Sequence, residues 1–304
     1  MDPVLATAVF LFGLAFGSFL NVCIHRIPRD LSVVSPGSAC PRCHQPIRAC
    51  DNIPVVSWFL LRGRCRHCGA RISPRYVVVE LLTALLFLAC YAEFGPTLLT
   101  LKFCIFSFLI VGLIFTDLEW KLLPDAFTLP GLALGLIFSL LTPIHDVVSL
   151  FLPGLLPIHA TSWRLLSLAD AALGAAVGSS FFYGIAVLYL HARGREGMGL
   201  GDVKLMAMVG AFLGVRLTVL TIFGASLVGS LFGLGTILAV WIKRTRRRTV
   251  RNRESLAAAR RRAWQSARMV YRYYEMPFGV FLGAMAMVAA FFGQALLRWY
   301  WGLY

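Results

Sequence analysis

The 304-residue chain is short of charge. Asp, Glu, Lys and Arg make up 14% of it, where a soluble domain carries about 25%. With 59% hydrophobic residues and a mean hydropathy of +0.76, a soluble globular fold is excluded and an integral membrane protein is expected. Acidic residues are the scarcest, 14 against 29 Lys and Arg. The resulting net charge of +15 would suit nucleic acid. The basic residues instead fall in blocks between apolar runs, as topology determinants do, so no nucleic-acid partner is expected. Early basic residues are also missing: Asp2 is the only charge before Arg26. That excludes the basic start of a cleavable signal peptide and predicts a retained first helix with its N-terminus outside. No clear internal repeat of the kind common in transporters is present.

Apolar runs long enough to cross a bilayer (about 17–25 residues) occur near 3–24, 77–94, 98–118, 126–143, 168–191, 218–242 and 277–301, with a shorter run near 203–215. These predict an all-α membrane protein with about eight transmembrane helices. With the N-terminus outside, the inside loops 25–76, 119–125, 192–204 and 243–276 hold 9, 1, 3 and 12 basic residues, or 25 of the 29. This positive-inside bias supports an even number of spans. The expected division is a first helix at 1–24, a cytoplasmic insert at 25–76 and a membrane domain at 77–304 with a basic cytoplasmic loop at 243–276. The outside loop 144–167, with Pro153 and Pro157, is assigned no chemistry. The pairs Gly13/Gly17, Gly174/Gly178, Gly229/Gly233 and Gly279/Gly283 predict close helix packing.

The insert contains Cys40-Pro-Arg-Cys43 and Cys65-Arg-His-Cys68. Each pair offers two thiolates from one tight turn, and two such turns give tetrahedral four-sulfur coordination with no position left for water. A structural zinc ion is expected, since the alternative, two disulfides, is disfavoured in a reducing compartment. His44 and His67 read as exposed neighbours, and Cys23, Cys50, Cys90 and Cys104 as packing residues. An insert this small would need a metal staple to fold.

Two carboxyls stand out at the cytoplasmic ends of apolar runs: Asp117, and Asp202 in Gly197-Met-Gly199-Leu-Gly201-Asp202-Val-Lys204. Ionisable residues at membrane depth are costly and so are functional candidates. If the two meet, they can share a proton, and one can activate water while the other polarises a carbonyl. Spacing alone does not show that they meet. The alternatives are an Asp117–Lys121 pair at i, i+4 and a helix cap at Asp202; Asp125, after Pro124, reads as a cap of the fourth span.

Gly17-Ser-Phe-Leu-Asn21-Val, Arg26-Ile-Pro28, the cysteine pairs, Asn52-Ile-Pro54, Ile72-Ser-Pro-Arg75-Tyr76, Val79-Glu80-Leu, the segment from Asp117 to Leu123-Pro124-Asp125, Gly199-Leu-Gly201-Asp202-Val-Lys204 and Pro277-Phe278-Gly279 occur in this order. In them the chain resembles the bacterial prepilin peptidases (type IV leader peptidases), membrane aspartic proteases of the GxGD type. The resemblance implies a helical bundle in the bacterial inner membrane, with a zinc-binding insert and a cytoplasmic active site. It implies removal of the short basic leader from type IV prepilins or type II secretion pseudopilins. It carries the catalytic pair over to Asp117 and Asp202, supported by Gly199, Gly201 and Lys204. Relatives with the cysteine insert often also N-methylate the new N-terminus with S-adenosylmethionine. Asn21, Asn52 and Glu80 are the candidates for that activity, the alternative being that they tie the insert to the bundle.

Loop 243–276 includes Arg246-Arg247-Arg248 and Arg260-Arg261-Arg262. Ser255–Tyr274 is expected as a helix with Trp264, Met269 and Tyr273 toward lipid, and the loop as an anchor on anionic headgroups, worth about 1 kcal/mol per basic residue. Two other functions fit the composition: a GxGD protease with another substrate, and a non-enzymatic scaffold or transporter whose Asp residues bind ions or protons.

Overall fold

The structure, a computed structural model, describes residues 2–144, 146–148, 163–194, 199–251, 255–273 and 276–302. Met1, Pro153, Pro157, Arg195, Gly197, Met198 and Tyr274 lie outside them. The helices are α1 (Pro3–Arg26), α2 (Val56–Leu60), α3 (Arg75–Phe94), α4 (Leu98–Trp120), α5 (Asp125–Leu141), α6 (Trp163–Arg193), α7 (Leu200–Arg251), α8 (Leu256–Tyr273) and α9 (Phe278–Trp301). Among the described residues there is no strand, only two isolated bridges in the insert. Six helices are long and apolar enough to cross a membrane, and α5 is a shorter apolar one.

Helix α7 counts twice. A Cβ on Gly178 would lie 2.6 Å from the Met206 carbonyl oxygen and 3.1 Å from Thr218 Cγ2. On an unbroken helix those two residues would be about 18 Å apart at 1.5 Å per residue, so the chain doubles back between them. The reversal is at Gly214, φ 79° and ψ −179°, a conformation open to glycine and strained for other residues. The structure therefore keeps the two spans expected at 203–215 and 218–242, but joins them at one residue. With α1, α3, α4, α5, α6 and α9 this makes eight apolar helical segments, of which α5 and the part of α7 before Gly214 are the short ones.

Glycine sets the spacing of the bundle. Gly13 and Gly17 of α1 lie against Ala84 and Glu80 of α3, Gly174 of α6 against Gly210 and Gly214, and Gly283 of α9 against Ile114. At each of these a Cβ would come within 3.0 Å of its neighbour, so helices approach as small residues allow. One apolar core runs through the bundle, from Leu20 and Ile24 of α1 through Phe106, Ile110 and Leu113 of α4 to Met206, Met208 and Phe212 of α7 and Leu282 of α9.

These contacts fix which ends lie together. Gly17 meets Glu80, Leu20 meets Gly112, Gly279 meets Asp117 and Gly229 meets Phe278. The C-terminal ends of α1, α4 and α6 and the N-terminal ends of α3, α5, α7 and α9 therefore share one face of the bundle, and the insert between α1 and α3 emerges there.

Candidate functional site

Asp117 lies in the last turn of α4, buried at 6% exposure. The helix stops because Lys121 adopts a left-handed conformation, its N–H donating to the Asp117 carbonyl oxygen at 2.9 Å. The carboxylate turns to α9, where Oδ2 accepts the Val280 N–H at 3.1 Å. This works because Gly279 has no side chain: a Cβ there would stand 2.9 Å from Oδ2 and 3.1 Å from Leu123 Cδ2.

Asp202 is the third residue of α7, inside the first turn and not at its cap. It is half-buried and interacts electrostatically with Asp117. Two contacts hold the helices that carry the pair. Gly201 packs on Leu123, where a Cβ would come within 2.9 Å of Leu123 Cβ. Lys204 Nζ meets both Asp125 oxygens, at 2.7 and 2.8 Å. Asp125 is thus the partner of Lys204, and the backbone position before the helix belongs to Pro124. Leu123 lies between Gly201 and Gly279, so the turn after α4 binds α7 and α9 together. Gly199 is exposed, and a Cβ there would meet only the Gly201 nitrogen at 3.9 Å.

The insert is tied to the same face. Arg75 pairs with Glu119, and the Arg29 guanidinium lies 4.4 Å from the Trp120 ring centroid. Asn21 Nδ2 donates to the carbonyls of Gly17 at 3.3 Å and Tyr76 at 3.0 Å. Glu80 Oε2 accepts the Val55 N–H at 2.7 Å. Asn21 and Glu80 therefore join α1, α3 and the insert, whereas Asn52 is exposed.

The four cysteines converge: their sulfurs lie within 4.8 Å of one another, with Cys40 and Cys68 at 3.8 Å and Cys43 and Cys65 at 4.0 Å. A disulfide bond is about 2.05 Å, so these are free thiols. Bonds of about 2.3 Å from four sulfurs to a tetrahedral zinc imply sulfur–sulfur edges of about 3.8 Å, so the donor set fits a metal ion. The two turns are alike. Cys40 N–H donates to Gln45 O and Cys65 N–H to Ala70 O, and His44 (φ 56°) stands where the second turn has Gly69 (φ 67°). The backbone N–H groups of Cys43 and Arg42 pull the Cys40 thiol down to about 6, while burial and the neighbouring cysteine thiols push Cys43 up to about 11. His44 and His67 are outside the cluster.

Helix α8 forms over Leu256–Tyr273 and folds back on α7. It buries Ala259, Ala263 and Ala267 and exposes Trp264 and Met269. Trp241 Nε1 donates to the Arg260 carbonyl at 3.2 Å. The side chain of Tyr273 is not among those described.

Fold and site together define a multi-pass helical membrane protein with a four-cysteine insert and two neighbouring aspartates at one face. Residues 11–94 match the Bacterial Peptidase A24 N-terminal domain, and residues 103–234 match the Type IV leader peptidase family. The chain belongs to the type IV leader peptidase family. It is 35% identical to the prepilin leader peptidase/N-methyltransferase of Aeromonas hydrophila, over 96% of this chain and 92% of the relative. It is 33% identical to the protein of that name from Pseudomonas aeruginosa, over 95% and 91%, and 35% identical to that from Neisseria gonorrhoeae, over 75% and 81%. No solved structure matches the chain.

Proposed function

We propose that this protein is an inner-membrane aspartic endopeptidase that removes the leader from type IV prepilins or type II secretion pseudopilins and then N-methylates the new N-terminus. The observation that carries this is identity of 33–35% over more than nine-tenths of the chain to proteins named prepilin leader peptidase/N-methyltransferase. Asp117 and Asp202 are the catalytic pair. Like charges oppose double ionisation, so the pair holds one proton between them. The ionised carboxyl takes a proton from water as it attacks the scissile carbonyl, and the protonated one donates a hydrogen bond to that carbonyl's oxygen. The Val280 N–H holds Asp117 in one rotamer, and the Lys204–Asp125 pair fixes the start of α7 relative to α4.

The site faces the cytoplasm, consistent with 25 basic residues in the loops on that side. A substrate that is itself a membrane helix can then present its basic leader without moving that charge across the bilayer. Zinc, held by Cys40, Cys43, Cys65 and Cys68, is structural and closes the insert. S-adenosylmethionine would supply the methyl group. Asn21 and Glu80 serve that activity by holding the insert to the bundle, and exposed Asn52 is the one of the three open to a substrate. Loop 243–276 anchors on anionic headgroups.

The test uses detergent-solubilised protein, a pilin precursor and S-adenosylmethionine, with products read by mass spectrometry. The expected product lacks the leader and carries one added methyl group when the methyl donor is present. An uncut precursor would overturn the peptidase reading. A cut product without the methyl group would leave a peptidase alone.

A further inference from the structure

The insert carries a feature that neither cleavage nor the metal site uses. Its one α-helix, α2, exposes Val56 at 49%, Phe59 at 62% and Leu60 at 75%, with Ile53 at 49% just before it. Residues 56, 59 and 60 have the i, i+3, i+4 spacing of one helical face. Ser57 is buried on the other side, and Trp58 turns inward, packing on Gly63 and donating from Nε1 to the Ile72 carbonyl at 3.2 Å. The four exposed residues thus form a patch of large apolar side chains on and beside one helix, apart from the insert's other exposed apolar residues Leu31, Val34 and Ile47, which belong to none of its helices.

The bundle sets the depth of this patch. The Val55 N–H is held at 2.7 Å by Glu80, the sixth residue of the membrane-crossing helix α3. At 1.5 Å per residue, Glu80 Cα stands about 7–8 Å along that helix from its start, and helical side chains lean back toward the N-terminus. With the start of α3 at the membrane surface, the tip of the loop lies at the boundary between headgroups and acyl chains, where interfacial helices bury their apolar faces about 5–10 Å deep.

The backbone is made for that depth. Val55 has φ 63° and ψ −54°, a γ-turn at positive φ that is rare and strained, more so for a β-branched residue. The turn gives the Val56 N–H a partner in the Pro54 carbonyl at 2.6 Å. Ser57 Oγ accepts the Ile53 N–H at 2.9 Å and donates to the Cys50 carbonyl at 3.1 Å, and the Ser57 N–H reaches Ile53 O at 3.1 Å. Every N–H from 53 to 57 is paired, Pro54 having none. Irregular backbone next to hydrocarbon requires such pairing. Exposed Arg62 and Arg64 follow the apolar face, suited to headgroup phosphates.

We propose that Ile53–Leu60 is an interfacial membrane anchor: Ile53, Val56, Phe59 and Leu60 enter the acyl chains of the leaflet that the bundle crosses, and Arg62 and Arg64 lie among its headgroups. The insert is thereby fixed to the bilayer as well as to α1 and α3.

The test places a benzophenone amino acid at Phe59, or separately at Leu60, in the full chain in native membranes, with Gln45 in the first cysteine turn as the exposed polar control. Variants are accepted if they melt as wild type does, and the two positions guard against failure of either. After illumination, intact-mass analysis is expected to show phospholipid adducts at 59 and 60 in roughly tenfold greater yield than at 45, as acyl-chain contact at interfacial depth requires. Equal yields at all three positions, or adducts at 59 and 60 only with protein, including a second copy of this chain, would overturn the proposal.

Discussion

Replacing Gly279 with alanine tests how Asp117 is held. The added methyl would stand 2.9 Å from Asp117 Oδ2, 3.2 Å from its Cγ and 3.1 Å from Leu123 Cδ2. The first distance is too short to persist, so the carboxylate must swing away and lose the Val280 N–H bond of 3.1 Å. A hydrogen bond to a charged group is worth about 1.5–3 kcal/mol. At about 1.36 kcal/mol per factor of ten, kcat/KM for precursor cleavage should fall roughly 10- to 100-fold. The fold should survive, because alanine favours a helix over glycine by about 1 kcal/mol, which offsets part of the crowding. Gly235→Ala is the matched control: it lies in α7 with nothing within 4 Å of an added Cβ, and its cleavage rate should equal that of wild type. The assay is the initial rate of leader removal in detergent, with melting temperature measured on the same samples. Cleavage by Gly279→Ala within twofold of wild type, at an unchanged melting temperature, would refute the claim that this glycine positions the carboxylate.

Gly210→Ala would put a Cβ 2.1 Å from the Gly174 carbonyl oxygen, a backbone atom that cannot swing away; it should cost about 1–3 kcal/mol, read as a lower melting temperature in detergent. Elemental analysis should find one metal ion per chain, and both Cys40→Ser and Cys65→Ser should lose it, leaving the insert more open to protease. Lys204→Met should destabilise the fold by less than about 1 kcal/mol, since the pair is partly exposed at 36% and 55%, while slowing cleavage by freeing the start of α7. Burial holds the Asp146 carboxyl, in the loop that accepts the Arg216 N–H, above the usual carboxylate range. Its protonated form is therefore favoured by the folded state, and that contribution is present at low pH and lost as pH rises through the elevated pKa. Melting temperature against pH should fall over that window in wild type and flatten there in Asp146→Asn.

The spans were legible because lipid demands long apolar runs, and the charge blocks between them gave their alternation. Both halves of α7 were expected. That Gly214 alone turns the chain was not, since a glycine inside an apolar run looks like any packing glycine until its φ is known. The cysteine cluster was readable from two pairs of equal spacing. How the elements that carry Asp117 and Asp202 are held to each other was not, because helices far apart in sequence decide it through Leu123, Gly201 and Gly279. Asp125 after a proline resembled a helix cap, and only tertiary structure pairs it with Lys204 across 79 residues. Val55 at positive φ has no signature in composition, since valine is among the residues least suited to that conformation.

The proposed chemistry requires both Asp117 and Asp202. Its most direct test is the rate of leader removal from a pilin precursor by wild type, Asp117→Asn and Asp202→Asn in detergent, each substitution keeping size and removing the acid. Cleavage is expected from wild type and none above background from either variant, with all three melting alike. Wild-type cleavage by either variant would contradict it.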